Sequence, residues 1–283
     1  MKVLILLFFI TISYIIWQKW ELTRFQVTEY QISSPKIKEQ ANVAVLADLH
    51  GFSYGRDNIR LLQKIKDLNP QAILIPGDML VSKYTDTYTA ALRTLKELVK
   101  IAPVYYSYGN HESRLRDPQT ANYPLFLKYI DEVKQAGITL METESLEIFL
   151  GANPVILSAL ELPLDYYEKG RLVPLEPDYM ASHLPMRKKE QYQILLAHNP
   201  AYAREYARWG ADVTFCGHNH GGLIRIPGIG SLISPQFTLF PKYDSGISRF
   251  GDKHVIVSRG LGTHTFHIRI FNRAELLFVK ILP

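Results

Sequence analysis

Short apolar segments alternate with amphipathic helical patterns through most of this chain, and this alternation constrains the fold more than any other feature. Five of the apolar segments are too short for a buried helix, so we predict that they are strands. The helical patterns between them place apolar residues every three or four positions. The predicted strands are Asn42–Ala47, Ala72–Pro76, Pro103–Tyr108, Gln193–Ala197 and Asp212–Cys216, and the predicted helices are Asn58–Leu68, Thr87–Lys100, Leu125–Gly137 and Ala201–Trp209.

The rest of the chain is richer in strand patterns than in helical ones. Leu146–Leu150 and Val155–Leu160 are typical of a hairpin, and the end of the chain is strand-like at His254–Ser258, Thr265–Ile270 and Glu275–Ile281. Alternating β and α segments followed by mostly β segments favour an α/β fold with two packed sheets over a single doubly wound sheet.

Charge and cysteine content exclude some classes of protein. The net charge is +5, but the basic residues are scattered, and the densest run, Met186–Gln191, is too short to predict a nucleic-acid surface. That run ends an irregular segment, Leu162–Gln191, which we expect to cross the surface. The single cysteine, Cys216, excludes an internal disulfide and is expected in the core rather than at a metal.

The N-terminal segment Val3–Trp17 is almost wholly apolar. It is shorter than the roughly 20 residues that span a bilayer, but Tyr14, Trp17 and Trp20 could extend it into the interface. A cleaved signal peptide would need a small-residue cleavage site, and a core helix would show a polar face; neither is present. We therefore predict an uncleaved single-pass membrane anchor.

The predicted domain division follows from this anchor. We expect the anchor at 1–20, a linker or edge strand at 21–40, and the α/β domain at 41–283. Basic residues flank the apolar segment almost equally, so they leave the membrane side of the domain open, with a slight preference for the external side. No protein partner is predicted.

Polar residues follow each of the five predicted α/β strands directly. Because the carboxyl ends of strands form the binding crevice in α/β sheets, we expect these side chains to lie together. Each turn alone could be explained by helix capping or turn chemistry, but that explanation would have to hold five times. The residues are Asp48 and His50, Asp78, Asn110 and His111, His198, and His218 with His220.

The residue types in these turns predict metal binding. Two carboxylates, an amide oxygen and imidazoles suit Mn, Fe, Zn or Co, and no thiolate cluster is present. Seven ligands exceed one tetrahedral site but fit two ions that share a carboxylate, and such a pair stabilises both the attacking and the leaving oxygen in phosphoryl hydrolysis.

The ordered series D-x-H, G-D, G-N-H-E, H and G-H-x-H, from Asn42 to His220, resembles the calcineurin-like metallophosphoesterase superfamily. The apolar N-terminus with "DLHGFSYGRDN", "LLAHNP" and "GHNHGG" resembles its YkuE/YaeI-type membrane-associated phosphohydrolases. The resemblance implies a four-layer α/β/β/α sandwich of two packed mixed sheets and two divalent metal ions, Mn, Zn or Fe.

Residue roles are also implied by this resemblance. Asp48, His50, Asp78 and His220 would hold the first metal, and Asp78, Asn110, His198 and His218 the second, with Asp78 bridging. His111 would protonate or stabilise the leaving oxygen, and Glu112 would orient His111 or the backbone of that turn. Two positions depart from close relatives, since Val81 replaces a frequent acidic residue and Leu223 a frequent Gln.

The expected function is hydrolysis of a phosphodiester, pyrophosphate or phosphomonoester, with a lipid-linked substrate as a candidate. A nuclease of the same superfamily and a non-catalytic metal-binding scaffold are the alternatives. For the substrate we expect contacts from Arg114, Arg116, Phe237 and Phe240, the two aromatics lying in the segment Ile233–Pro241. The counter-interpretation is that the aromatics are buried and the arginines only solvated.

Overall fold

The computed structural model describes residues 1–185, 190–222, 224–263 and 267–283. The strands are β1 Phe25–Ser33, β2 Ala41–Val45, β3 Ala72–Ile75, β4 Val104–Ser107, β5 Thr139–Met141, β6 Glu144–Leu150, β7 Asn153–Leu160, β8 Tyr192–Ala197, β9 Val213–Cys216, β10 Arg225–Ile226, β11 Gly230–Ser231, β12 Gly246–Phe250, β13 Lys253–Val257 and β14 Ala274–Leu282. The helices are α1 Lys2–Leu22, α2 Ile59–Leu68, α3 Asp86–Leu98, α4 Asn110–Leu115, α5 Tyr123–Gln135, α6 Tyr179–His183 and α7 Ala203–Trp209.

Two six-stranded mixed sheets account for most of the strands in the described ranges. The first has the order β1-β14-β2-β3-β4-β5, and the second has the order β12-β13-β9-β8-β7-β6. From β2 to β5 all neighbours are parallel, whereas β14 runs antiparallel to β2. In the second sheet β7, β8, β9 and β13 are parallel, and β6 and β12 close the edges antiparallel.

Three apolar cores hold these layers together. Side chains such as Val43, Leu74, Leu157 and Ile194 fill the space between the two sheets. A second core packs α2, α3 and α5 on the outer face of the first sheet, and a third packs α6 and α7 on the second sheet. Strands buried on both faces need continuous apolar runs, which is why the central strands were recognisable in the sequence. The predicted α/β fold of two packed sheets is confirmed.

One predicted strand is wrong in its described part. His267–Arg269 has no strand structure, and Ile270 forms only a single bridge with Ile224. The backbone N–H of Arg269 donates to the Gln18 side chain instead of to a neighbouring strand. Thr265 and Phe266 of that prediction lie outside the described residues, as do Met186–Lys189 of the basic run and Leu223.

The irregular segment is more buried than the sequence suggests. Within Leu162–Gln191, the described residues Tyr166, Tyr167, Met180 and Leu184 are buried in the core over the second sheet. The expectation of a simple surface crossing is therefore wrong for this part. Its Pro, Tyr and charged residues give no periodic pattern, so the core contacts were not visible in the sequence.

Helix α1 projects from the domain, and its residues Lys2–Ile16 are exposed. Among the described residues it is the one helix long and apolar enough to cross a membrane. Its C-terminal end docks on the domain, where Gln18 and Glu21 are buried. The Gln18 side chain exchanges two hydrogen bonds with the Arg269 backbone, at 3.0 and 3.1 Å, and Glu21 pairs with Arg273 at 2.7 and 2.9 Å. Strand β1 then follows at the edge of the first sheet.

Candidate metal centre

The polar turns predicted from the sequence meet at one end of the sandwich. In the first sheet the parallel strands β2, β3 and β4 lead into three of them, and in the second sheet β8 and β9 lead into the other two. Carboxyl ends of neighbouring parallel strands share an edge, so the side chains of both sheets converge there. The buried residues at this edge are Asp48, His50, Asp78, Asn110, His111, His198, His218 and His220.

Much of this edge has an unusual backbone conformation. Five of its residues are left-handed, which is uncommon for residues other than glycine and concentrates at functional sites. They are Asp48, His50, Asp78, His218 and His220, with φ from 50° to 68°. Two glycines allow the carboxylates to approach: a Cβ at Gly109 would lie 2.2 Å from Asp78 Oδ1, and one at Gly217 would lie 2.6 Å from Asp48 Oδ2.

The buried groups divide into two sets of metal-ligand geometry. Asp48, His50 and His220 form one set whose ligand atoms all lie within 4.8 Å of one another. Within it the Nε2 atoms of His50 and His220 are 3.1 Å apart, and His220 Nε2 is 3.8 Å from Asp48 Oδ1. Asp48 Oδ2 is buried and has no hydrogen-bond partner among the described residues.

Asp78, His198 and His218 form the second set under the same 4.8 Å limit. His198 Nε2 lies 3.1 Å from Asp78 Oδ2, and the same oxygen is 3.9 Å from His50 Nε2 in the first set. Asn110 lies beside this set, with its side-chain oxygen facing His218 Nδ1. Rotation of the amide would instead place its nitrogen there as a hydrogen-bond donor, at 2.8 Å. The Asp78 carboxylate therefore lies between the two sets.

Backbone carbonyls orient the imidazoles of both sets. The Nδ1 atoms of His50, His198 and His220 face the carbonyls of Leu80, Pro76 and Gly262, at 3.2, 2.8 and 3.2 Å respectively. A carbonyl only accepts, so each Nδ1 carries a proton, and in the neutral ring each Nε2 presents a lone pair. This is the usual support of a metal-binding histidine. Lone pairs of His50 and His220 facing each other fit a shared cation.

The electrostatics agree with a site that needs cations. Burial raises the pKa of Asp48 to about 7, despite the opposing charge of His198. Burial would lower the pKa of His198, but the Asp78 carboxylate outweighs it and raises that pKa to about 9. Burial and the charge of His198 lower the pKa of His218 to about 3. Burial therefore disfavours the charged forms of Asp48 and His218, and divalent cations bound by these groups would compensate the buried carboxylates.

His111 is held by the turn that follows Asp78. Its Nδ1 accepts the Ser82 N–H at 3.0 Å, so the neutral ring carries its proton on Nε2. Its own backbone N–H donates to Asp78 Oδ1 at 2.9 Å. His111 also forms a third group of possible ligands with His50 and Asp78. The side chain can therefore act as a proton donor, and the alternative of metal ligation is open to measurement.

Glu112 connects two of the turns. It is fully buried, and its carboxylate accepts the backbone N–H groups of Asp78, Met79 and Gly109 at 2.8 to 2.9 Å, with the Tyr106 hydroxyl at 2.6 Å. Burial and the nearby Asp78 charge raise its pKa to about 7. Of the two predicted roles, the structure shows the contact with the backbone of its own turn, whereas Ser82 holds the His111 ring.

A cavity of about 300 Å³ opens onto these residues. Sequence reasoning missed Ser82 and Lys169 among its lining residues, because neither lies in a recognisable pattern, whereas Pro235 and Gln236 belong to the segment expected beside the substrate. The Tyr167 ring packs edge-on to His218, with centroids 5.0 Å apart. The lining comprises Asp78, Val81, Ser82, Lys83, Tyr84, Asn110, His111, Arg114, Tyr167, Lys169, His218, His220, Pro235 and Gln236.

The expected substrate contacts are only partly brought to this cavity. Arg114 lines it, whereas Arg116 pairs with Glu142 and Glu161. Phe237 and Phe240 are not among its lining residues and are 52% and 59% exposed. The neighbouring residues in the sequence did not indicate that these rings do not line the cavity, because the direction of a loop side chain depends on contacts distant in the chain.

Comparison with known proteins agrees with the geometry. Residues 41–222 match the family model described as calcineurin-like phosphoesterase. The chain is 28% identical over 271 residues to phosphodiesterase YaeI of Escherichia coli, covering 93% of this chain and 88% of the relative. It is 25% identical over 261 residues to the uncharacterized metallophosphoesterase YkuE of Bacillus subtilis, covering 89% and 83%.

A third relative carries a membrane description. The chain is 24% identical over 267 residues to a Danio rerio transmembrane protein with metallophosphoesterase domain, covering 89% of this chain and 56% of that relative. The family match spans well over half of the chain and includes every strand-end turn of the buried cluster. The chain therefore belongs to the calcineurin-like phosphoesterase family and is a metal-dependent phosphohydrolase of the YaeI/YkuE type.

Proposed function

We propose that this phosphohydrolase uses two divalent metal ions and acts at a membrane on a phosphodiester, pyrophosphate or phosphomonoester bond of a lipid-linked substrate. Asp48, His50, Asp78 and His220 would hold one ion, and Asp78, Asn110, His198 and His218 the other. One observation carries the dinuclear assignment: Asp78 Oδ2 lies 3.1 Å from His198 and 3.9 Å from His50, so one carboxylate reaches both ligand sets.

When bound, the ions would supply Lewis-acid activation of water and charge stabilisation at the phosphoryl group. The chain's own residues would supply proton donation and phosphate binding. His111 carries its proton on Nε2, because Nδ1 accepts from Ser82, and that proton can pass to the leaving oxygen. Arg114 and Lys169 contribute positive charge to the cavity wall, where they can bind phosphate oxygens. Tyr167 covers one side of His218 and limits access of water.

The membrane part of the proposal is supported by helix α1. Its apolar residues up to Ile16 are exposed, and its length and composition suit a single crossing. The name of the Danio rerio relative also describes a transmembrane protein. A bilayer-anchored site meets lipid-linked phosphates at high local concentration, and we retain the slight preference for the external side.

A substrate panel tests the proposal. The full chain, loaded with Mn²⁺, Zn²⁺ or Fe²⁺, would be assayed on phosphomonoester, phosphodiester and pyrophosphate substrates, each with and without acyl chains. We expect metal-dependent hydrolysis, with a higher kcat/KM for the acylated form of the preferred bond. Equal kcat/KM values for acylated and unacylated forms would contradict the lipid-linked substrate. Hydrolysis of DNA alone would identify a nuclease, and no hydrolysis at all would support a scaffold.

A further inference from the structure

Three phenylalanines on the surface have a backbone conformation that is rare for large side chains. Phe237, Phe240 and Phe271 have φ of 63°, 44° and 50°, in the left-handed region. They are also 52%, 59% and 63% exposed. Folding gains little from an exposed ring, and strain of this kind persists mainly where function requires it. The three residues therefore indicate a surface that has a binding partner.

Backbone contacts join the segments that carry these residues. The Phe240 N–H donates to Leu232 at 3.0 Å, and the Leu232 N–H donates to Ile224 at 2.9 Å. Ile224 in turn bridges Ile270, the neighbour of Phe271. Leu239 and Ile268, close in the chain to these phenylalanines, are also exposed, at 65% and 42%. We name Phe237, Leu239, Phe240, Ile268 and Phe271 the apolar loop surface.

The apolar loop surface adjoins the point where α1 leaves the domain. The ring centroids of Trp17 and Phe271 are 6.4 Å apart. The next residue of the helix, Gln18, is buried and hydrogen-bonded to the Arg269 backbone, between Ile268 and Phe271 in the chain. Glu21 adds its ion pair with Arg273. These contacts fix the exit of the helix beside the exposed rings, so a bilayer around α1 would begin at their level.

The length of α1 leads to the same arrangement. Because Gln18 is already docked on the domain, the projecting part is Lys2–Trp17. These residues rise about 1.5 Å each, which gives roughly 24 Å, against about 30 Å for a hydrocarbon core. A projecting span below the hydrocarbon thickness is accommodated by local thinning of the bilayer or by approach of the domain surface at its base to the interfacial layer.

We propose that the apolar loop surface inserts into the interfacial layer of the bilayer that α1 crosses. This inference rests on the membrane anchoring proposed above. Exposed apolar patches of this kind mark sites of association, and aromatic rings favour the membrane interface. Pro235 and Gln236, directly before Phe237, line the catalytic cavity. Insertion would therefore hold the cavity mouth at the bilayer surface, where a lipid-linked phosphate is presented.

Single-cysteine labelling of the full chain tests this. The natural cysteine, Cys216, is fully buried, so Phe240→Cys or Phe271→Cys can be labelled selectively with an environment-sensitive fluorophore. The chain would be reconstituted into phosphatidylcholine vesicles with or without spin-labelled lipid. Phe149→Cys is the matched control, since Phe149 is 65% exposed on the far edge strand β6.

We expect the labels at 240 and 271 to shift to the blue and to be quenched several-fold more by the spin-labelled lipid than the label at 149. If the chain floats with the vesicles but all three labels stay aqueous, the surface proposal is wrong and the anchor stands. Failure of the chain to float overturns both. Labels at 240 shielded from water yet not quenched by lipid would indicate a protein contact and also overturn insertion.

A substitution gives an independent measurement. Asn tolerates the left-handed region far better than Phe, so Phe240→Asn should keep or raise the melting temperature of the detergent-solubilised chain. In vesicles, the label at 271 should be quenched less in this variant, because an inserting ring is lost. A lowered melting temperature together with unchanged quenching would mean that Phe240 packs on the protein rather than in the bilayer.

Discussion

Asp78 is the residue on which the dinuclear assignment depends most directly. We predict that Asp78→Asn abolishes turnover and sharply lowers metal content, because the neutral amide no longer balances two cations and cannot bridge them as a carboxylate does. Metal content by atomic spectroscopy and hydrolysis rates would be measured together. Asp67→Asn is the control, since Asp67 is exposed on α2 and accepts a hydrogen bond from the Gln63 side chain of the same helix.

Two bound metals and near-normal activity in Asp78→Asn would remove the dinuclear interpretation. Loss of metal in the Asp67 variant as well would point to general instability rather than to a lost bridge. The comparison is sharp because both substitutions change the same functional group, one buried between imidazoles and one in solvent.

The proposed role of His111 depends on one proton. We predict that His111→Ala keeps both metals and lowers kcat by about 10²–10⁴-fold, as expected for the loss of a general acid. A substrate with a good leaving group, which needs no protonation, should lose much less. If metal content falls together with activity, His111 is a ligand, as its proximity to His50 and Asp78 permits.

The last turn of α1 is part of the folded domain, although the sequence predicted most of it as membrane anchor. Gln18 is hydrogen-bonded to the Arg269 backbone, and the Arg269 side chain donates to the Gly262 carbonyl that also orients His220. We predict that deletion of Met1–Leu22 lowers the free energy of unfolding by about 2–4 kcal/mol relative to deletion of Met1–Trp17, given the hydrogen bonds lost. The deletion should also weaken metal binding.

Thermal unfolding and metal titration of the two truncated chains provide the measurement. Glu21→Gln in the full chain is a milder version of the same change, because it removes the charge from the pair with Arg273 but keeps the shape. Identical melting temperatures and metal affinities for both deletions would show that the docked turn is dispensable to the site.

The two sheets of the molecule contribute different candidate ligands to one cluster. Asp48, His50, Asp78 and Asn110 follow strands of the first sheet, and His198, His218 and His220 follow strands of the second. Bound metals would therefore link the sheets, and ligand binding to the folded state stabilises it by mass action. We predict that a chelator lowers the melting temperature and that added metal restores it.

The stabilisation of the folded state by bound metal depends on the metal affinity. It is about 4 kcal/mol when the free metal concentration exceeds the dissociation constant a thousandfold. The Asp78→Asn chain should show little of this dependence, whereas the Asp67→Asn chain should keep it. A melting temperature that does not respond to chelator in the unsubstituted chain would mean that the cluster binds no metal that matters to folding.

The layered fold and the polar residue types of the strand-end turns could be recognised from the sequence alone. Strands buried on both faces require continuous apolar runs, and amphipathic helices require a three-to-four-residue spacing, so both are visible within a short window. The turn residues are equally local, because each follows its strand directly. Their convergence could be predicted because parallel strands bring their carboxyl ends to one edge.

Contacts between distant segments determine which other residues line the cavity and how α1 docks on the domain. Gln18 contacts Arg269, 251 positions away, and Lys169 reaches the cavity from a segment without periodicity. Arg116 is drawn to Glu142 and Glu161 instead of the cavity. Contacts of this kind depend on how distant segments pack, and neither local propensity nor spacing along the chain encodes them.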